Sequence, residues 1–279
     1  LISSITALPE LVTTISAARL NLPNMAVSNV LGSNLFNMSV LGALLFFLTK
    51  HKHHDNNGHN GRHSLWAGIF FITLITVFIL IKQPFSIFSI GFESIIIIGL
   101  YIFYIKKLYG KEEDTKTDLD EEIKHSIVKP VLIYIICSIA ILFAGIKSVQ
   151  VLDKISELTG WNNRFAGAFL LAIATSLPEV VSSIQSARLG SFSLVAGILL
   201  GSNLFNISIL GVADIFIKGN IFSLIDVRNL ITCIFLLIIS LFIAGAYFLI
   251  RHKRYLSLKK IGLLVIFSYV VMMYLIYKI

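Results

Sequence analysis

The sequence predicts an all-α, polytopic membrane protein, and three observations carry the prediction. Of the 279 residues, 56% are hydrophobic and 14% are charged, whereas about a quarter of the residues in soluble domains are charged. The apolar residues fall into long runs, and about 20 consecutive apolar residues suffice for one transmembrane helix. The third observation is an internal repeat, which predicts an inverted arrangement of the helices. An ordinary soluble domain is excluded.

Nine apolar runs predict nine transmembrane helices, with ends defined to about three residues. They cover residues 1–18, 25–48, 64–81, 85–105, 127–146, 165–187, 192–217, 227–250 and 258–277. The first run begins at Leu1, without an initiator Met or a basic leader. We therefore expect the natural N-terminus, and one further helix, to precede Leu1.

The net charge of +8 could indicate a nucleic-acid partner. The basic residues lie between the apolar runs, however, and cytoplasmic loops of membrane proteins carry the excess of Lys and Arg. One alternating set of loops holds 15 of these residues and the other set holds 8. We therefore expect a multi-pass protein of the cell membrane, with loops 50–63, 106–129 and 251–260 in the cytoplasm and no nucleic-acid partner.

Two polar loops allow other interpretations. Loop 106–129 combines seven acidic residues with six lysines but lacks the glycine-centred spacing of a Ca²⁺-binding loop. Five of the seven histidines lie within 51–63, where metal sensing and pH sensing are alternatives to a flexible polar loop. We interpret both as solvated loops. The chain then divides into a first half (1–106, helices 2–5), a cytoplasmic linker (107–126) and a second half (127–279, helices 6–10).

The internal repeat joins Thr6–Gly42 to Thr175–Gly211 at a constant offset of 169 residues, without a gap. The copies are identical at 19 of 37 positions, including the strings LPE, ARL and LGSNLFN. Five membrane crossings separate the copies, so they must have opposite orientations. Inverted repeats that meet at the bilayer midplane are common in transporters. Because each repeat then needs an odd number of helices, we predict an inverted five-plus-five bundle whose first helix is missing from this chain.

Each copy places a glutamate, Glu10 or Glu179, in the middle of a span. A charged side chain at this depth costs about 2.5 to 3.5 kcal/mol on insertion scales, so it needs a partner. The preceding Pro9 and Pro178 each lack an N–H and should kink their helices, which frees backbone carbonyls to line a cavity. The alternatives are a structural glutamate and a simple packing kink. Glu93 lies near a span end, where we expect it to reach the headgroups, and it is left out of the site.

The other polar residues of the repeat supply oxygen atoms at helical spacing. Thr6 and Thr175 precede the glutamates by four residues and therefore share a helical face with them. The following helix of each copy repeats this spacing, with Ser33 and Asn37 in the first copy and Ser202 and Asn206 in the second.

Such an all-oxygen set suits Ca²⁺, which takes 6 to 8 oxygen ligands, and Na⁺ in similar sites, whereas Mg²⁺ retains its waters. Gly32 and Gly201 should allow close approach of helices. Asn34 and Asn203 point about a third of a turn away from the serines, so we expect them to form helix-to-helix hydrogen bonds.

These two segments resemble the α-repeats of the cation/calcium exchanger superfamily, the sodium/calcium exchanger membrane region. The resemblance rests on the paired LPE and GSNxFN motifs, and it implies a ten-helix inverted-repeat antiporter. It implies that the cation ligands of this chain are Thr6, Glu10, Ser33, Asn37, Thr175, Ser176, Glu179, Ser202 and Asn206. The chain departs from the family pattern twice. Ala7 replaces a serine, which should weaken one monovalent-ion site, and Asn206 occupies a position where some members carry Asp.

We therefore predict a secondary-active antiporter that exchanges Ca²⁺ for Na⁺ by alternating access. The expected partners are the lipid bilayer and inorganic cations, and we expect no prosthetic group; Ca²⁺ and Na⁺ (or H⁺) are cargo. An H⁺-coupled Ca²⁺/cation antiporter is the close alternative, because a buried carboxylate can trade a proton for Ca²⁺. A cation channel could use the same oxygens. An intramembrane hydrolase is disfavoured, since the sequence has no HExxH motif and its histidines lie in or beside loops, and we predict no enzyme. The coupling ion and oligomeric state stay open.

Overall fold

Helices occupy all nine predicted spans in the part of the chain that the computed structural model describes, namely residues 2–47, 59–82, 85–87, 90–109, 128–251 and 255–278. The first half contains α1 (Ile2–Thr6), α2 (Leu8–Arg19), α3 (Pro23–Phe47), α4 (His59–Ile81) and α5 (Phe92–Tyr109). The second half contains α6 (Val128–Thr159), α7 (Asn163–Phe165), a π-helical segment (Ala166–Leu171), α8 (Ala172–Thr175), α9 (Leu177–Arg188), α10 (Phe192–Asp214), α11 (Ile221–Leu224), α12 (Asn229–Arg251) and α13 (Tyr255–Lys278).

Several of these helices are long and apolar enough to cross a membrane. Among the described residues they are α3, α4, α10, α12 and α13, and the bent run from Asn163 to Arg188 makes a sixth. Helix α6 has 32 residues and is therefore about 48 Å long, which exceeds the roughly 30 Å hydrocarbon core of a bilayer. The fold is an all-α, multi-pass membrane fold, as the composition predicts.

Two central helices, α3 and α10, carry the repeated GSNLFN segments. About three quarters of their apolar stretches is buried (72% and 78%), compared with 39%, 39% and 28% for α4, α12 and α13. Gly32 of α3 lies against the π-helical segment, where an added Cβ would be 2.5 Å from the backbone of Ala168. Gly201 of α10 similarly abuts the Ser3 side chain. Both glycines therefore permit the close approach that the sequence predicts.

Both proline-containing spans are broken, and at equivalent positions. The first breaks at Ala7, between α1 and α2, and the second at Ser176, between α8 and α9. Their backbone angles are nearly equal, with φ −86° in both and ψ 12° and 7°. The second break bends the helix axis by 46°. A proline near the start of a helix needs no N–H partner, and each Pro is the second residue of the helix that follows the break, which agrees with the predicted kinks.

The two repeats also end their broken spans in the same way. Asn21 and Gly190, again 169 residues apart, have positive φ angles of 59° and 79°. A left-handed residue after a helix is usually Gly and sometimes Asn, because a larger side chain is strained there. The turn therefore retains its backbone shape although its sequence differs between the copies.

The predicted start of the fourth span, at residue 85, is wrong. Ser86–Ile87 pairs with Ile90–Gly91 as a short antiparallel hairpin, and α5 begins only at Phe92. The backbone N–H of Gly91 donates to Asp214 Oδ2 at the end of α10 (2.6 Å). The apolar run thus includes a tertiary anchor that hydropathy does not detect.

Several turns that the charge pattern places on one side of the membrane contact each other. Asp226 N donates to Asn24 Oδ1 (2.8 Å), and Asn162 Nδ2 donates to the carbonyl of Ile276 (3.2 Å). Asn162 and Asp226 lie between helices, while Asn24 and Ile276 lie in the end turns of α3 and α13; all four positions adjoin the loops with fewer basic residues. The structure supports this grouping, while its assignment to the outer face stays a prediction. The predicted linker 107–126 and the histidine-rich loop lie largely outside the described residues.

Candidate cation-binding site

The two repeated glutamates lie at the helix breaks, and both are fully buried. Glu10 is in the first turn of α2 and Glu179 in the first turn of α9. The N-terminus of a helix carries a partial positive charge that stabilises an anion. Each break therefore creates a favourable position for a carboxylate in the middle of the protein.

The carboxylates differ in their hydrogen bonds. Ser176 Oγ donates to Glu10 Oε1 (2.7 Å), whereas Glu10 Oε2 and both carboxylate oxygens of Glu179 have no partner among the described residues. The repeat offset equates Ser176 with Ala7, which has no hydroxyl. By the repeat symmetry, a serine at position 7 would donate to Glu179 as Ser176 donates to Glu10. Because position 7 is alanine, Glu179 lacks this hydrogen bond.

The hydroxyls of the predicted set form two crossed pairs between the repeats. Thr6 Oγ1 lies 3.4 Å from Ser202 Oγ, and Ser33 Oγ lies 3.5 Å from Thr175 Oγ1. Each pair joins a broken span of one repeat to the central helix of the other. Thr175 is followed by Ser176, whose hydroxyl donates to Glu10 Oε1, and Thr6 is the equivalent residue of the first repeat. The structure therefore brings these residues of the two repeats together around the glutamates.

Four asparagines on α3 and α10, here called the asparagine cluster, complete the predicted set and extend it: Asn34, Asn37, Asn203 and Asn206. Asn37 Nδ2 donates to Asn203 Oδ1 (3.0 Å), and Asn206 Nδ2 donates to Asn34 Oδ1 (3.1 Å). The carbonyl oxygens of Asn37 and Asn206 are buried and have no partner among the described residues. The predicted helix-to-helix hydrogen bonds of Asn34 and Asn203 are thus confirmed.

This arrangement leaves a set of buried oxygens with lone pairs available. Buried polar atoms normally have hydrogen-bond partners, and those without one call for an explanation such as a bound ion. Carboxylate, amide and hydroxyl oxygens are the ligands that Ca²⁺ prefers. One Ca²⁺ or two Na⁺ would neutralise two carboxylates. The described residues contain no cluster of three or more His, Cys, Asp and Glu that could hold a transition metal.

Glu93 behaves differently from the sequence prediction. Rather than reaching headgroups, its side chain is buried (3% exposed), and Glu93 Oε2 accepts a hydrogen bond from Asn220 Nδ2 (2.8 Å). The prediction is wrong because the hairpin and α11 fold over the start of α5. Asp214, which is not among the residues predicted from the sequence, anchors both elements by accepting hydrogen bonds from the N–H groups of Gly91 and Ile221 (2.6 Å each). An acidic residue inside the predicted apolar span 192–217 is a sequence feature that could have identified Asp214 as a buried, hydrogen-bonded residue.

A cavity of about 580 Å³ opens at the end of the molecule where the predicted outer turns meet. Its lining residues include Asp153 and Glu157 from α6, Arg164 from α7, and Asp226 and Arg228 from the turn before α12. Arg228 hydrogen bonds to Asp226 and holds the pKa of that carboxyl below its usual value. No sequence pattern predicts this cavity, because its lining residues come from three separate parts of the chain.

Comparison with known proteins gives a family match over nearly the whole chain. The family model described as sodium/calcium exchanger protein matches residues 1–109 and 130–278. Ca(2+)/H(+) antiporter ChaA of Bacillus subtilis (strain 168) is 25% identical over 254 residues, which cover 82% of this chain and 71% of that protein. Sodium/calcium exchanger MaX1 of Methanosarcina acetivorans is 32% identical over 98 residues, which cover 35% of this chain and 28% of that protein.

Solved structures show the same fold. The sodium-calcium exchanger NCX_Mj, in crystals soaked with Na⁺ and Ca²⁺, matches with a TM-score of 0.58 at 20% identity. The match covers 97% of this chain and 82% of that one. The inverted repeat derived from the sequence is consistent with the fold of these exchangers.

Proposed function

The chain belongs to the sodium/calcium exchanger protein family, and on that premise we propose that it is a secondary-active antiporter that exchanges Ca²⁺ for Na⁺ across a membrane by alternating access. One observation carries the proposal. Glu10 and Glu179 are buried at the breaks of two inverted helices, and three of their four carboxylate oxygens have no hydrogen-bond partner among the described residues. The family is one of transporters, and we propose no enzymatic activity.

The exchange follows from competition for one set of oxygens. The proposed ligands are Thr6, Glu10, Ser33, Asn37, Thr175, Ser176, Glu179, Ser202 and Asn206. Without cations, two carboxylates in a low-dielectric centre repel each other and lack the solvation of water. Ca²⁺ and Na⁺ each relieve this cost, so one must leave before the other binds. Because the repeats are inverted, a rearrangement of one half against the other would open the same site to the opposite side.

The test is transport by the purified protein in lipid vesicles. We expect an outward Na⁺ gradient to drive ⁴⁵Ca²⁺ uptake, and Glu179→Gln to abolish it, because a neutral amide binds cations weakly and offers a single oxygen. Glu157→Gln is the matched control, since Glu157 is an exposed acid of α6 away from the helix breaks. Undiminished Ca²⁺ uptake by Glu179→Gln would contradict the proposed Ca²⁺/Na⁺ exchange at this site.

Proton coupling is the second candidate, and the similarity to a Ca(2+)/H(+) antiporter over 82% of the chain favours it. A carboxylate in an apolar environment can take up a proton when Ca²⁺ leaves. Ca²⁺ uptake driven by a pH gradient in Na⁺-free buffer would select this coupling, and uptake that requires Na⁺ would exclude it.

A further inference from the structure

We propose that Asn203 and Asn34 are positioning residues, which orient the side-chain amides of Asn37 and Asn206 so that carbonyl oxygen, and not N–H, faces the bound cation. The inference rests on the proposed function and assigns a role to two residues outside the ligand set that the sequence predicts. It concerns the four members of the asparagine cluster and the contacts between α3 and α10.

The starting point is a reciprocal contact at the centre of the protein. Asn34 Nδ2 donates to the backbone carbonyl of Asn203 (3.1 Å), and Asn203 Nδ2 donates to the backbone carbonyl of Asn34 (3.2 Å). The two residues are separated by the repeat offset of 169. They therefore lie beside the pseudo-twofold axis that relates the two halves, and each contact has its counterpart across that axis.

The backbone carbonyls set the direction of these amides. The nitrogen and oxygen of an asparagine amide are ordinarily hard to distinguish, and their hydrogen-bond partners decide the assignment. A backbone carbonyl can only accept a hydrogen bond, so the NH₂ group of Asn203 must face the carbonyl of Asn34. The oxygen of the same planar amide is then left for the neighbouring side chain.

The fixed orientation of the Asn203 amide in turn determines the orientation of the Asn37 amide. Asn203 Oδ1 can only accept, so it requires a donor, and Asn37 Nδ2 supplies it at 3.0 Å. The amide of Asn37 is then directed with its oxygen away from Asn203, and this oxygen is buried without a partner among the described residues. The second half repeats the order, with Asn34 Oδ1 accepting from Asn206 Nδ2 at 3.1 Å.

The two directed oxygens belong to the site. Asn37 follows Ser33 by four residues and Asn206 follows Ser202 by four, so each asparagine lies one helical turn from a serine whose hydroxyl meets a threonine beside a glutamate. A reversed amide would turn N–H toward the cation and also oppose two carbonyl oxygens. Asn203 and Asn34 thus prevent the amide orientation that repels a cation.

A double-mutant cycle tests this role, because residues that act through one group are non-additive. Asn203→Ala removes the acceptor for Asn37 but retains the backbone carbonyl that holds Asn34. Removing a residue that orients a metal ligand typically costs about 10- to 100-fold in affinity. We therefore expect Asn203→Ala to raise the KM for Ca²⁺ about tenfold, with a smaller change in kcat.

The test compares the effect of Asn203→Ala in two variant proteins, one carrying Asn37→Ala and the other carrying Asn206→Ala. In an Asn37→Ala protein, whose amide is already absent, Asn203→Ala should have no further effect on KM or on equilibrium ⁴⁵Ca²⁺ binding. In an Asn206→Ala protein it should retain its full effect, because Asn206 is oriented by Asn34. The mirrored cycle, Asn34→Ala with Asn206→Ala, serves if Asn203→Ala does not fold.

Equal fold-changes in both backgrounds would overturn the positioning role, since general helix packing does not distinguish Asn37 from Asn206. An unchanged KM in Asn203→Ala would overturn it as well. Ca²⁺ exchange by the unaltered protein separates this failure from failure of the proposed function. Absence of exchange with any counter-ion contradicts both, whereas exchange with an additive cycle contradicts only the inference.

Discussion

At the scale of residues, the site is asymmetric although the fold is an inverted repeat. Glu10 receives a hydrogen bond from Ser176, while neither carboxylate oxygen of Glu179 has a partner among the described residues. The sequence shows that Ala7 occupies the position equivalent to Ser176, so the first repeat lacks this hydroxyl. Only the structure shows that this hydroxyl bonds the carboxylate of the opposite repeat, since Ser176 donates to Glu10.

Ser176→Ala should lower the thermal stability of the cation-free protein, because Glu10 Oε1 then loses its donor while it stays buried. Hydrogen bonds to charged groups contribute about 1.5 to 3 kcal/mol. Thermal unfolding in detergent with a Ca²⁺ chelator measures the effect. Ser183→Ala is the matched control, since Ser183 is equally buried and its hydroxyl has no partner among the described residues. Equal losses in both variants would contradict the role of this hydrogen bond.

At the scale of elements, the helix breaks connect the sequence to the site. The sequence predicts that Pro9 and Pro178 kink their spans, and each span is broken two residues earlier, at Ala7 and Ser176. The prolines therefore place a helix N-terminus beside each glutamate. The hairpin before α5 and the π-helical segment were not predicted, because both depend on contacts with distant residues.

Pro178→Ala should reduce Ca²⁺ transport more than tenfold without lowering the melting temperature. Alanine supplies the missing N–H and favours a continuous helix, which would move Glu179 away from the helix N-terminus that stabilises it. Transport and thermal unfolding are measured on the same preparations. Pro23→Ala is the control, since Pro23 starts α3, where a missing N–H has no consequence. Full transport by Pro178→Ala would show that the break is a packing kink.

Gly32→Ala tests the close contact between α3 and the π-helical segment. Its Cβ would meet the Ala168 backbone at 2.5 Å, and such overpacking costs about 1 to 3 kcal/mol. We expect a lower melting temperature. Gly197→Ala in α10 should be neutral or slightly stabilising, since nothing lies within 4 Å of the added methyl. Equal melting temperatures for the two variants would mean that α3 and the π-helical segment can move apart without loss of stability.

At the scale of the whole molecule, the inverted topology requires equivalent turns to lie on opposite sides of the membrane. Leu20 and Leu189 are equivalent by the repeat offset, and both are exposed (45% and 77%). Single cysteines at these positions, in a chain without Cys137 and Cys233, should react with a membrane-impermeant thiol reagent from opposite sides. Leu158→Cys should react from the same side as Leu20→Cys. Labelling of Leu20→Cys and Leu189→Cys from one side would contradict the inverted repeat.

The sequence by itself determined the membrane class, the nine helical regions, the repeat and the positions of both buried glutamates. These properties follow from local apolar runs, from proline chemistry and from self-similarity, so they need no knowledge of distant contacts. Tertiary structure decided which oxygens have partners. Glu93 and Asp214 became buried anchors because the hairpin and α11 meet at the end of α10. The asparagine amides acquired their direction because two backbone carbonyls face each other's side chains across the repeat axis. Tertiary packing brings residues 169 positions apart into contact, and no local sequence pattern shows which of their groups donates the hydrogen bond and which accepts it.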